Sequence, residues 1–341
     1  MKTRIFLLTI LSATLLLTGF HSPVTPKAAA NNDTIQYPEE SHFKNVQQLT
    51  FGGDNAEAYF SFDGKWIIFQ RTNPKEGLMC DQMFIGKVPA PGEKFTYKLV
   101  SSGKGRTTCG AFLKDGKHIV YASTFQGADT CPPVPDRKKY GNKYIWPLYD
   151  SYDIYMADLD GKVVKQLTHS KGYDAEATIS PDGKKMIYTS DKDGDIDLYI
   201  MNLKTGKEKR ITNTLGYDGG AWFSPDGKKI IWRASRPKTD AEVKEYKDLL
   251  AENLVAPTNM EVFIANADGS NVTQVTHFGQ ANWAPAYFPD SKKSFLPATR
   301  NTSVVSPLIS ILSTKMEPIS RRLHMRKYLM HSPCSLPTGR S

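Results

Sequence analysis

Asp191, Asp193, Asp195 and Asp197 stand at alternate positions around Gly194, an array of oxygen donors that a hard cation such as calcium would accept. No bidentate glutamate follows where a helix-loop-helix calcium site would place one, so a solvated hairpin turn competes with the ion. His169 and His277 each follow a Leu-Thr or Val-Thr pair, which marks them as places in a pattern more than as ligands. The chain contains no H-E-x-x-H, no G-x-S-x-G and no metal-type cluster of Cys and His, and no nucleophile is spaced with its base. We therefore assign no catalytic residue, no cofactor site and no metal site. Cys80, Cys109 and Cys131 offer one disulfide in an oxidising compartment, with the pairing left open among the three.

These residues sit in a recurring frame. The turn S-P-D-G-K is intact at Ser180–Lys184 and Ser224–Lys228, and altered at Ser61–Lys65, Leu113–Lys117 and Phe288–Lys292. Pro sets the first corner, Asp caps the turn and Gly takes the permissive last place, so each copy joins two short apolar strands. Asp182 and Asp226 are 44 residues apart, the length of a four-stranded propeller blade. Leu167-Thr168, Ile211-Thr212 and Val275-Thr276 open successive units, and Asp153-Ile154-Tyr155 and Asp197-Leu198-Tyr199 carry a shared D-[IL]-Y. This order of elements resembles the TolB-like β-propeller family, a WD-repeat-like group, over about residues 46 to 293. The resemblance implies an all-β propeller of four-stranded blades, six in number. Val46–Thr50 matches Lys165–Thr168 and is expected to be the strand that closes the ring.

Two insertions stretch the spacing. Residues 126–147 are rich in Pro, Lys and Tyr. Residues 237–257 hold a capping-box pattern, Thr239 to Glu242, ahead of Val243, Tyr246, Leu249 and Leu250 at helical spacing. Both fall between the second and third strands of their blades and so crown one rim, the rim on which the three cysteines also fall. Tyr140, Tyr144, Trp146 and Tyr149 give that rim aromatic groups suited to protein or sugar contacts, and they serve equally to pack the insertion on the blades. Tyr173-Asp174 and Tyr217-Asp218 recur ahead of innermost strands, where the aspartate braces a strand or lines the channel mouth.

From Ser294 the pattern stops. Codons built across the residue boundaries can spell the missing strands over residues 293–299 and 308–319 and a further S-P-D-G-K over 335–341. Residues 294–341 therefore read as a frame-shifted tail, with the fifth blade truncated and the sixth lost. That tail and the leader account for the formal charge of +9, and the remaining chain has 34 basic and 34 acidic residues. The high pI thus gives no reason to expect nucleic acid as a partner.

Residues 1–30 read as a secretory signal: Lys2 and Arg4, an apolar run from Ile5 to Leu17, and small residues at Ala28-Ala29-Ala30. Phe20 occupies the place of a lipidated cysteine, and no other segment would span a bilayer. Residues 31–45 read as a linker and 46–293 as the propeller domain. The expected product is exported, periplasmic or secreted. The resemblance implies a non-catalytic propeller that binds a protein or an envelope or cell-wall polymer through its rim or channel. TolB itself partners the Tol–Pal envelope system and has an amino-terminal α/β domain, for which residues 31–45 leave no room, so equivalence with TolB is not expected. The alternative is the propeller part of an exported hydrolase, peptidase or polysaccharide lyase whose catalytic part is absent.

Overall fold

The computed structural model describes residues 46–289, Ser291 and the three strands Ser294–Ala298, Ile309–Thr314 and Glu317–Ile319. The leader, residues 1–30, the linker, residues 31–45, and the remainder of the tail, with Cys334, lie outside the described residues. Blade one comprises β1 (Asp54–Phe60), β2 (Trp66–Asn73), β3 (Leu78–Lys87) and β4 (Tyr97–Leu99). Blade two has β5 (Thr107–Phe112) and β6 (His118–Ser123). After the short β7 (Trp146–Pro147) in its insertion come β8 (Asp153–Asp158) and β9 (Val163–Gln166). Blade three is β10 (Asp174–Ile179), β11 (Lys185–Ser190), β12 (Asp197–Asn202) and β13 (Glu208–Arg210). Blade four has β14 (Asp218–Phe223) and β15 (Lys229–Ser235). Its insertion holds helix α1 (Asp240–Ala251) and β16 (Leu254–Val255), and β17 (Met260–Asn266) and β18 (Thr273–Gln274) complete the sheet. A fifth sheet runs β19 (Ala286–Tyr287), β20 (Ser294–Ala298), β21 (Ile309–Thr314) and β22 (Glu317–Ile319). The sheets are antiparallel meanders, and the architecture is a β-propeller.

Burial identifies the inner strands. Every residue of β5 and β10 is buried, whereas β9 and β13 are half-exposed or exposed. Apolar clusters fill the spaces between neighbouring blades. Ile68, Met83, Phe112 and Tyr121 join blades one and two, and Ile187, Leu198, Phe223 and Trp232 join blades three and four. Full burial of one such side chain contributes about 1.5–3 kcal/mol.

The repeated residues do repeated work. In the turn at Ser180, the serine hydroxyl donates to Asp182 Oδ1 (2.6 Å), which also accepts Lys184 N–H (3.0 Å), and Gly183 sits at φ 75°. The same hydroxyl and amide contacts recur at Ser61 and Ser224. Each Thr of the L-T pairs clasps the strand beside it. Thr212 Oγ1 accepts Leu198 N–H and donates to Asp197 Oδ1, both at 2.9 Å. Thr168 does this with Ile154 and Asp153, and Thr276 with Val262 and Glu261. In blade one Ser101 replaces the threonine, joining Met83 N–H to Gln82.

Two expectations are corrected. Residues 46–50 form no strand; Leu49 instead packs beside Ile67, Phe69 and Phe95 of blade one, which supply an apolar surface where no ladder partner is offered. The fifth blade is not truncated at residue 293, because β20 pairs with β19 on one side and with β21 on the other, giving four strands through Ile319. No sixth four-stranded sheet is present among the described residues.

Thr212→Val keeps the shape but strands the Leu198 amide and one oxygen of the buried Asp197. We expect a loss of about 1–3 kcal/mol in urea unfolding, against almost none for the exposed Thr205→Val.

Candidate functional site

The inner strands share a defect. Their pairing with the second strand slips between Ala56 and Tyr59, Thr108 and Ala111, Ala175 and Thr178, and Gly219 and Trp222. Inside each slip one residue has positive φ: Glu57 (54°), Cys109 (52°), Glu176 (59°) and Gly220 (61°), and Ala284 (39°) stands at the matching place before β19. A bulge re-aims its side chain, and a non-glycine residue held in this region costs about 1–3 kcal/mol. The result is convergence: Glu57, Cys109, Glu176 and Gly220 line one cavity together with Tyr59 and Trp222.

Glu176 is the neck of this channel. Its Oε1 accepts the Tyr217 hydroxyl at 2.7 Å, and its Oε2 accepts Gly220 N–H and Arg233 Nη2, the latter at 3.3 Å. Arg233 Nη2 also donates to Tyr217 Oη at 2.9 Å. Neither charged side chain reaches solvent. The guanidinium lies 5.4 Å from the Trp146 ring and 5.7 Å from the rings of Tyr217 and Trp283. Close approach explains the glycines. A Cβ on Gly219 would stand 2.1 Å from Tyr217 Oη, and one on Gly220 would stand 2.9 Å from Arg233 Nη1. Across the channel, the Tyr59 hydroxyl donates to Glu57 Oε2. Burial pushes the Glu57 carboxyl up to about 8, outweighing the Tyr59 bond and the Arg233 charge. At neutral pH, Glu57 is protonated.

The two insertions form one cover. β7 pairs with β16, matching Trp146 to Val255 and Pro147 to Leu254, and Leu148 N–H donates to Asn253 O (2.7 Å). Lys139 and Tyr140 both reach Glu252 Oε2, at 2.7 and 2.8 Å, and Ile145, Leu249 and Leu254 make a small shared core. Helix α1 begins with the capping box, Thr239 and Glu242 each bonding the other's backbone amide. Tyr246 on α1 donates to Asp195 Oδ1 (2.5 Å), pinning the helix to blade three. A disulfide joins Cys131 of the first insertion to Cys80, which lies within β3 rather than in the loop before it. Cys109 is buried on β5, its sulfur 3.2 Å from Thr108 Oγ1.

The four rim aromatics divide. Trp146 is buried against Arg233, and Tyr140, Tyr144 and Tyr149 are half-buried. Tyr149 donates to Pro133 O (2.8 Å), and Tyr144 lies edge-on to Trp146 and Trp283. Trp146 and Tyr149 line a recess between cover and neck, whose other walls include Asp81, Arg106, Tyr152 and Glu176. Tyr140 and Tyr144 pack the insertions instead of lining it.

The aspartate loop is committed to protein donors. Asp191 accepts Tyr173 N–H (2.7 Å), and burial pushes its carboxyl up to about 6. Asp193 accepts the Tyr199 hydroxyl (2.6 Å), Asp195 accepts Tyr246, and Asp197 accepts Thr212 and Arg210. Among the described residues no three Asp, Glu, His or Cys side chains converge as metal ligands. Asp174 accepts the Ser170 hydroxyl, and Asp218 accepts Trp232 Nε1 and Arg236 Nη2, both at 2.6 Å; each braces its blade. Glu57, Glu176 and Arg233 escaped the sequence reading. The signal that would have found the two carboxylates is the shared A-E-A of Asn55–Phe60 and Asp174–Ile179.

Comparison with known proteins places this architecture. The TolB beta propeller domain family matches residues 147–247. Over those residues the chain is similar to the TolB β-propeller domain. Among solved structures, the putative TolB from Agrobacterium tumefaciens superposes with a TM-score of 0.52 at 17% identity, covering 77% of this chain and 78% of that one. TolB from Acinetobacter baumannii gives 0.54 at 20% identity, over 77% of this chain and 52% of its own, so this chain spans about half of that protein. A puromycin hydrolase gives 0.50 at 13% identity, over 82% of this chain and 40% of its own. At such identities the likeness is one of fold. No curated protein sequence matches the chain.

Glu57 supplies a pH test of the channel. Its carboxyl ionises near the ordinary 4.5 when unfolded and near 8 when folded, so the folded state holds the extra proton between these values. Stability from this group is therefore full below about pH 4.5 and is lost as pH rises toward 8. Urea unfolding from pH 5 to 9 should show a shallower decline for Glu57→Gln than for wild type; superimposable slopes would contradict the assignment. Cys131→Ser opens a cross-link spanning 51 residues and should cost up to about 4 kcal/mol, read as a fall in unfolding midpoint relative to oxidised wild type.

Proposed function

We propose that the protein is an exported, non-catalytic binding propeller that takes a protein or an envelope or cell-wall polymer at the covered end of its channel. One observation carries this reading: the recess in which Trp146 and Tyr149 of the first insertion meet Glu176 of the neck. Buried ion pairs are weak sources of stability, and hydrophobic replacements of similar volume often serve as well. Their retention beneath a two-part cover favours a binding site over a merely packed core. Polar groups fixed among aromatic walls orient a ligand, and rigid blades hold them in place. Export through residues 1–30 and a shifted reading frame from residue 294 belong to the same proposal. Amino-terminal sequencing of the secreted product and resequencing of the gene check them.

The binding test compares intact protein with a variant whose segments 126–147 and 237–257 are both replaced by short Gly-Ser linkers, and with Trp146→Ala, in capture from an envelope extract. We expect the linker variant to lose its partners and Trp146→Ala to weaken capture by about 2 kcal/mol, roughly thirtyfold. Melting curves verify that each variant is folded. Recovery of the same partners by a folded linker variant would place the binding site elsewhere.

A further inference from the structure

The recess has polar groups that the protein itself leaves unanswered. Trp146 Nε1 and Arg106 Nε are buried with no hydrogen-bond partner in the structure, and both residues line the recess while only 3% exposed. A buried N–H without an acceptor is unfavourable, so an oxygen that reached either group would gain a ready donor. The charges, in contrast, are already balanced. Arg106 Nη1 bonds Asp81 Oδ2 at 2.6 Å, and Arg233 stands against Glu176. A charged ligand group would enter without a counter-ion and would be disfavoured. A hydroxyl suits both sides of the recess, because it accepts from the indole or guanidinium and donates to a carboxylate or phenol oxygen.

The walls add a second requirement. Tyr152 stands 5.9 Å from Tyr149 and 5.6 Å from Tyr173, centroid to centroid, giving a run of three rings along one side. Tyr152 and Tyr173 are buried and back this wall, and the half-buried Tyr149 is the ring with apolar surface for the C–H face of a pyranose. The backbone offers nothing comparable to a peptide. β7 is paired with β16 along one edge and Leu148 N–H with Asn253 O, and its other edge carries Pro147, which has no N–H to offer an added strand. The recess as a whole holds little more than a water molecule, so it admits one hydroxyl or hydroxymethyl group and the sugar ring must stay outside it.

From this geometry we infer that the recess is a subsite for an uncharged sugar at the end of a glycan, with Trp146 and Arg106 as its hydrogen-bond donors. The inference rests on the binding reading above and narrows its ligand to a carbohydrate. The probes are uncharged tetrasaccharides (chitotetraose, cellotetraose and mannotetraose), with tetragalacturonate as a charged sugar and tetra-alanine as a peptide. Titration calorimetry on the full chain should show binding of at least one uncharged probe. Trp146→Phe, which keeps a ring but removes the N–H, should weaken that binding at least tenfold with little change in melting temperature. Trp66→Phe, on the far side of blade one, should leave it unchanged.

Absence of binding by all three uncharged probes, binding confined to tetragalacturonate or tetra-alanine, or equal affinity of wild type and Trp146→Phe would each overturn the sugar subsite. If envelope capture still depends on the insertions in that event, the binding reading survives alone. If capture is also independent of them, both fall.

Discussion

A permanent positive charge is fully buried in this propeller, and much of the surrounding structure follows from holding it there. Arg233 cannot shed its proton, so its guanidinium must be matched by a carboxylate, by polar oxygens and by ring faces. Glu176 supplies the carboxylate only because the bulge in β10 turns it toward the axis. Tyr217 can stand between them only because residues 219 and 220 of the neighbouring strand are glycines. Trp146 completes the enclosure from an insertion in another blade. Strand defect, small residues and insertion are thus three answers to one electrostatic demand.

The balance of charge around Arg233 also assigns different roles to the two channel glutamates. Both occupy the same place in their strands and both have positive φ. Glu176 touches the guanidinium, whereas Glu57 meets a phenol and is driven to its neutral form by burial. A second carboxylate would overcompensate a single cation in a poorly solvated space. Equivalent positions in a repeat therefore diverge in ionisation according to the partners that neighbouring blades provide.

What could be read from the sequence was local. The S-P-D-G-K turn satisfies its bonds within five residues, and the threonine of each L-T pair clasps an amide 14 residues away in the same blade, so both repeat visibly. Helix α1 was announced by its own capping residues. The neck was not local: Glu176 meets Tyr217 41 residues later and Arg233 57 residues later, and no motif spans such distances. Trp146 read equally as a rim contact and as packing, because its cover, Leu254–Val255, comes from a second insertion. Residues 46–50 misled for the opposite reason: their residue types match a strand, but the deciding factor was which surface stood nearby. In the fifth blade the turn chemistry faded while the backbone pairing continued.

Repeat proteins are ordinarily chains of nearest neighbours, in which each unit is coupled only to the units before and after it. Here β7, from blade two, is hydrogen-bonded to β16, from blade four, and the strap passes over blade three. That contact makes the array a closed circuit over three units instead of a simple stack. Blade three cannot be copied or excised by recombination without stretching or slackening the strap. Stability in this part of the ring is accordingly not a sum over units, and blades two, three and four should behave as a single inherited block.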